Sequence, residues 1–224
     1  MTLARAALTL SLCIELDALI VYREGGNTMS ASLTGGFVRV GGRLAIDLLN
    51  TVSARDGLAV DLLERPEDLP EWAEAVGVPY AGEIRLRSAT ALADLREFRE
   101  VLRDGLWRWR DGEPPSSTLI DRLNHELARD PRHVTLGLQD GRLVTEMAST
   151  GDPLHRLYAD LAASLAMMLS RDDRARYRPC ANEACRFSFY DDSKPGTRRW
   201  CSMELCGGRA KARAFRLRHG VSRS

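Results

Sequence analysis

The chain of 224 residues has no clean apolar run of the ~20 residues that a membrane-spanning helix requires. Its longest apolar stretch, AALTLSLCIELDALIVY from Ala6 to Tyr22, is broken by Glu15 and Asp17. The same stretch fits poorly the charged start and small-residue cleavage site of a secretory signal. The expectation is therefore a cytoplasmic protein with no membrane partner. Catalytic signatures are missing too. The four histidines, His125, His133, His155 and His219, are scattered, with no H-E-x-x-H and no pairing with cysteine. No P-loop, dinucleotide glycine pattern or G-x-S-x-G elbow occurs. These absences argue against an enzyme.

Net charge is almost lacking as well, at +1, but that figure hides a split. From Ala175 onward there are 12 basic and 4 acidic residues; the segment before it holds 20 basic and 27 acidic ones. A basic tail on an acidic body suggests a polyanionic partner for the tail. It also raises the expectation that the body partly masks the tail.

Cysteine is scarce and concentrated. Four of the five lie in CANEACRFSFYDDSKPGTRRWCSMELC, as two C-x4-C pairs, Cys180/Cys185 and Cys201/Cys206, with fifteen residues between. In a reducing compartment such clusters more often bind metal than form disulfides. Four thiolates satisfy a closed tetrahedral Zn²⁺ site and leave no position for catalytic water. An iron–sulfur cluster, or thiols that only pack or oxidise, are the alternatives. Phe187 and Phe189 share one face of a short strand, and Arg198–Trp200 is expected to be its return strand. Lys194, Arg198 and Arg199 lie between the pairs. After Cys206, Arg209, Arg213 and Arg216 share a helical face with Lys211 and Arg218 nearby. Ala210, Ala214 and Leu217 form an adjacent stripe expected to pack on the metal core. These eight basic residues are the candidates for contacting nucleic-acid phosphates.

The rest of the chain reads as a mostly helical body. Phe37–Val40 alternates like a strand, Gly41-Gly42 turns, and LAIDLLNT is apolar apart from Asp47 and Asn50. Those two read first as buried hydrogen-bonding groups and alternatively as a ligand pocket. RPEDLPEWAEAVGV predicts a short helix ended by Gly77. Residues 83–112 predict a long one, with Leu86, Leu92, Leu95, Phe98, Leu102 and Leu106 on its apolar face. STLIDRLNHELARD predicts a third, on Leu119, Leu123 and Leu127. HVTLGLQDGRLVTEM predicts a hairpin turning at Asp140-Gly141, and Asp152-Pro153 opens a further, strongly apolar helix.

The cysteine-rich stretch and the basic helix after it resemble the CGNR zinc finger. That finger ends bacterial proteins described as stress-induced transcriptional regulators. GGRLAIDLLNTV, RPEDLPEWAEAVGV and LREFREVLRDGL are similar to that family's N-terminal ABATE domain. The resemblance spans roughly Phe37 to Arg218 and implies zinc on the four cysteines and binding to DNA. One residue departs from it: the family's Cys-Gly-Asn-Arg reads Cys206-Gly207-Gly208-Arg209 here. Gly208 removes an amide that elsewhere could cap a helix or touch a ligand, and suits a tight turn.

The resulting expectation is an α+β protein. Residues 1–35 form a flexible extension, with Met29 a second candidate start. Residues 36–173 form the mostly helical body with a small β-hairpin, and residues 175–221 a treble-clef-like finger holding one Zn²⁺. The expected function is a zinc-finger DNA-binding regulator with duplex DNA as partner. Its body senses a small-molecule effector, binds a protein or dimerises. The alternative is an RNA-binding or protein-interaction adaptor.

Overall fold

The computed structural model describes residues 33–34, 36–55 and 58–219. The expected extension therefore lies outside the described residues, Met29 included, except for Leu33–Thr34. Those two form β1, antiparallel to β2 (Phe37–Val38).

The apolar run that follows becomes α1 (Leu44–Leu49), in which every residue is buried. Asp47 is the brace that makes this possible. Its Oδ1 accepts the Val40 amide at 3.0 Å and the Gly41 amide at 2.7 Å, fixing the turn into the helix. Gly41 must be glycine, because a Cβ there would lie 2.9 Å from both the Asp47 amide and its Oδ1.

A second hairpin follows, β3 (Val52–Arg55) with β4 (Leu58–Asp61), paired from Val52↔Asp61 to Arg55↔Leu58. It adds to the single hairpin expected. Helix α2 (Asp68–Val76) ends at Gly77, whose φ of 84° closes it in the left-handed conformation. Helix α3 (Ala89–Arg110) starts later than its periodicity suggested, because Ser88 accepts the Ala91 amide and caps it there. Ile84 and Leu86 reach the core from the segment before it.

Helix α4 (Ser117–Ala128) is capped by Ser116. It buries Leu119, Leu123 and Glu126, leaving Leu127 half-buried, so its inner stripe is not the all-leucine one expected. Strands β5 (Arg132–Gln139) and β6 (Arg142–Ser149) turn at Asp140 (φ 52°) and Gly141 (φ 77°), as the Asp-Gly pair predicts. Helix α5 (Pro153–Arg171) has Pro153 in its first turn and Asp152 accepting the Leu154 amide at 2.8 Å.

Helices α1, α2, α3 and α5 enclose the main core, which holds Trp72, Phe98, Leu102, Leu161 and Leu165. Two residues beyond the expected boundary, Tyr177 and Tyr190, also belong to it. Tyr177 and Tyr190 thus pack in the same core as the helices of the body.

Candidate metal centre and basic face

Strand β7 (Tyr177–Pro179) pairs antiparallel with β8 (Ser188–Tyr190), and the first cysteine pair lies on the loop between them. This corrects the expected pairing of the Phe187–Phe189 strand with Arg198–Trp200, which forms no strand. The reason is local: the Cys180 amide donates to Phe187 O at 2.9 Å, and the Cys185 amide to Asn182 O at 2.8 Å. The knuckle itself is the hairpin turn. The second pair sits at the start of a helix. Ser202 caps it through the Glu204 and Leu205 amides, the wide turn Met203–Gly207 presents Cys206, and α6 (Gly208–His219) runs on from it. A knuckled hairpin followed by a helix that brings the last ligand is a treble-clef-like arrangement.

The four Sγ atoms lie within 4.8 Å of one another. Cys185 and Cys201 are 3.8 Å apart, Cys201 and Cys206 3.6 Å. A tetrahedron with Zn–S bonds of about 2.3 Å has sulfur–sulfur edges of about 3.8 Å. A disulfide needs about 2.05 Å, and all four thiols are free. The surroundings favour thiolate. The Cys201 amide donates to Cys180 Sγ and the Asn182 side-chain amide to Cys206 Sγ, both at 3.4 Å. Hydrogen bonds from Cys185 and Cys201 hold the Cys180 thiol far below its ordinary range. The same sharing with Cys180 pushes the Cys185 and Cys201 thiols up. A bound dication favours the thiolate form of its ligands. The four cysteines form a site for one zinc ion, whose role is to cross-link a module too small to hold itself together.

Residues 176–219 match the family model of the CGNR zinc finger. Residues 42–172 match that of ABATE, described as "Putative stress-induced transcription regulator". The chain belongs to the ABATE family. No curated protein matches it. Among the described residues no helix is long and apolar enough to cross a membrane.

The CGNR finger is not built from its own segment alone. Its core of Cys180, Phe189, Cys201 and Cys206 includes Val38 and Val40 from the start of the ABATE body. Asn50 donates to Ser188 O and accepts from the Ser188 amide, both at 2.9 Å. The Tyr190 amide donates to Gly41 O at 2.8 Å. Arg43 bonds Asp172 and Asp192 and lies 4.2 Å over the Tyr190 ring. Asp47 and Asn50 are therefore buried braces, with Asn50 holding the finger to the body. The geometry supports the hydrogen-bonding reading of both over a ligand pocket. Sequence reasoning had no signal for Val38, Val40 or Arg43, whose partners lie far along the chain.

The eight basic candidates divide. Arg198 is turned inward. It lies 4.3 Å from the Phe189 ring centroid and donates to Trp200 O, Val40 O and Cys201 O. Its backbone amide binds Asp191, a fully buried carboxylate that also accepts from Ser193. Burial alone would raise the Asp191 carboxyl's pKa. The Ser193 and Arg198 hydrogen bonds and the Arg178 charge outweigh that and hold it below the usual carboxylate range. Arg198 is thus part of the finger's frame. Lys194, Arg199, Arg209, Lys211, Arg213, Arg216 and Arg218 are exposed.

Helix α6 does not pack on the metal core as expected. Ala210 is half-buried, Leu217 is 77% exposed, and the Ala214 side chain lies outside the described residues. On this helix Arg213 lies 4.0 Å from Glu183 of the finger itself. Where finger and body meet, the ion pair has the opposite sense, with the body's Arg43 on the finger's Asp192.

Gly208 is not in a tight turn. Its φ of −61° and ψ of −45° are helical, and a Cβ would meet nothing closer than Met203 O at 3.5 Å. Met203–Gly207 already leads into α6, so no cap is needed there. Gly208→Ala is expected to stabilise the finger by about 0.4–1 kcal/mol. Thermal melting of the zinc-loaded protein checks this, and a lowered midpoint would contradict the helical geometry.

Proposed function

We propose that the chain is a cytoplasmic DNA-binding regulator of a stress response, without enzymatic activity, whose CGNR finger grips the phosphates of duplex DNA. One observation carries the reading: a zinc-anchored helix, α6, whose arginines stand in solvent while the module behind it is fixed rigidly to the body. Arg209, Arg213 and Arg216 lie on one face of that helix, a spacing suited to successive backbone phosphates. An RNA-binding or protein-interaction adaptor is the second reading. It draws on Phe215 and Leu217, 54% and 77% exposed among those arginines, which suit stacking or apolar contact.

Selection of bound sequences from a random duplex pool, using purified zinc-loaded protein, tests the first reading. Enrichment of a sequence supports it, whereas a preference for single strands or RNA supports the second. Phosphate contact has its own signature. Each of Arg209→Ala and Arg213→Ala should weaken duplex binding and flatten the log–log salt dependence by ~0.9 per lost contact. Parent-like affinity of both variants at low and moderate salt would remove α6 from the interface.

A further inference from the structure

The β5–β6 hairpin carries an apolar face that the described residues leave in solvent. Each strand is eight residues long, and neither pairs with any other strand among the described residues. Side chains alternate between the two faces of such a ladder. One face holds Val134, Leu136 and Leu138 on β5, opposite Met147, Thr145 and Leu143 on β6. Val134 is 62% exposed, and Leu136, Leu138 and Leu143 are 73%, 75% and 74% exposed. None of these six side chains is ionisable. The arm's charged residues, Arg142 and Glu146, belong to the opposite face, across from Gln139 and Thr135. An antiparallel sheet with one apolar and one polar face normally lays the apolar one on a core.

The root of the hairpin is fixed to the body. Arg132, first in β5, donates to Asp130 at 2.7 Å and also to Asp160, and Ser149, last in β6, donates to Asp130. Both carboxylates are buried. Arg132 and Ser149 stand on the same face as the apolar row. That face therefore starts against the body and runs out into solvent towards the Asp140-Gly141 tip. An isolated two-stranded hairpin is marginal in water, and a packed face or a further strand is what steadies it. The outer part of this arm needs a cover that its root does not supply.

We propose that the cover is the same arm of a second copy of this chain, packed face to face about a twofold axis near Leu136. The chemistry of the face selects the partner. A surface without charge offers nothing to an ionic ligand or to nucleic acid, and its complement is an equally uncharged apolar face. The chain carries that complement itself. The area agrees. Eight residues at about 3.4 Å each make an arm about 27 Å long. Burying a large aliphatic side chain removes on the order of 100 Å² from water. The four exposed side chains and Met147 of each copy then bring the contact to about 1,000 Å², the least that a specific interface needs. Two such faces stack at a sheet separation of about 10 Å. A twofold axis makes the contact self-complementary and closed, so association stops at two chains. The inference goes beyond the regulator reading and stands without it, since association is measured with no nucleic acid present.

Sedimentation equilibrium of the zinc-loaded full chain over a concentration series tests it. The expected mass is that of two chains. Leu136→Glu and Leu138→Glu should each weaken association by about tenfold or more. Both positions are exposed, so the circular dichroism and zinc content should stay those of the parent. Leu58→Glu, at a residue 73% exposed on the β3–β4 hairpin, should leave the dimer intact. Mixing Leu136→Glu with Leu136→Lys should restore dimers, because opposite charges then meet across the axis, a recovery that misfolded variants would not show. A parent that is monomeric throughout overturns the proposal. If a chain beginning at Met29 then self-associates, the cover is the chain's own first 28 residues; if it does not, the cover is a different protein. A dimer that both arm variants leave unchanged, or that the mixture fails to restore, overturns it as well, since the contact then lies elsewhere.

Discussion

Removing zinc from the full chain will destabilise the ABATE body as well as unfold the CGNR finger. Structural zinc sites contribute about 10 kcal/mol or more to the modules they hold, comparable with the whole stability of an ordinary domain, about 5–15 kcal/mol. The finger alone has little to replace that. Its β7–β8 ladder spans three residues per strand, and its core holds three of the four cysteines. The body is affected because Val38 and Val40 are packed in that core, and because Asn50 and Arg43 end on finger residues. When the finger melts, two apolar side chains and several buried polar groups lose their surroundings. Trp200→Phe with Trp107→Phe, which removes the ring packed against Tyr177 of the finger, leaves Trp72 and Trp109 as fluorescent reporters of the body. A strong chelator should then lower the body's melting midpoint by about 10 °C, since 1 kcal/mol moves a chain of this size by about 2–4 °C. Metal analysis of the unchelated protein should give one zinc per chain. An unchanged body midpoint would show that the modules fold independently.

What could be read ahead of the structure was local in the chain. Ser, Asp and Gly at helix ends, the Asp140-Gly141 turn and the two C-x4-C pairs act within a few residues of themselves. The β3–β4 hairpin carried such a signal too, since Asp56-Gly57 separates its strands in the sequence; it was hidden by the apolar run before it. The long helix was legible in its period but not in its start, because Leu86 fits the apolar repeat while Ser88 holds the cap. What escaped depends on distance. Asn50 and Ser188 are 138 residues apart, and nothing near either one announces the other. Arg198 looked like its exposed neighbour Arg199, and only packing on Phe189 separates the two roles.

Asn50→Ala should be the most damaging single change at the junction that leaves the zinc ligands intact. The carboxamide reproduces what a neighbouring strand would offer Ser188, one donor and one acceptor, in a site where Asn50 is 5% exposed and Ser188 8%. Alanine leaves the Ser188 amide and carbonyl without their partners. Each unsatisfied buried group costs about 1–3 kcal/mol, so the loss should total about 3 kcal/mol in denaturant unfolding. Asn50→Asp should do no better. A carboxylate can still accept the Ser188 amide, but its second oxygen then faces the Ser188 carbonyl with no proton between them. Zinc content should stay at one per chain in both variants, which separates this defect from loss of the metal. The informative measurement is the combination. If Asn50 transmits the finger's stability to the body, chelation and Asn50→Ala remove the same contact, and their effects on the body's midpoint will sum to clearly less than additive. Strict additivity would mean that the coupling runs through the other junction contacts, the Val38 and Val40 packing and the bonds of Arg43 and Gly41, and that the Asn50–Ser188 pair only fixes the register of the junction.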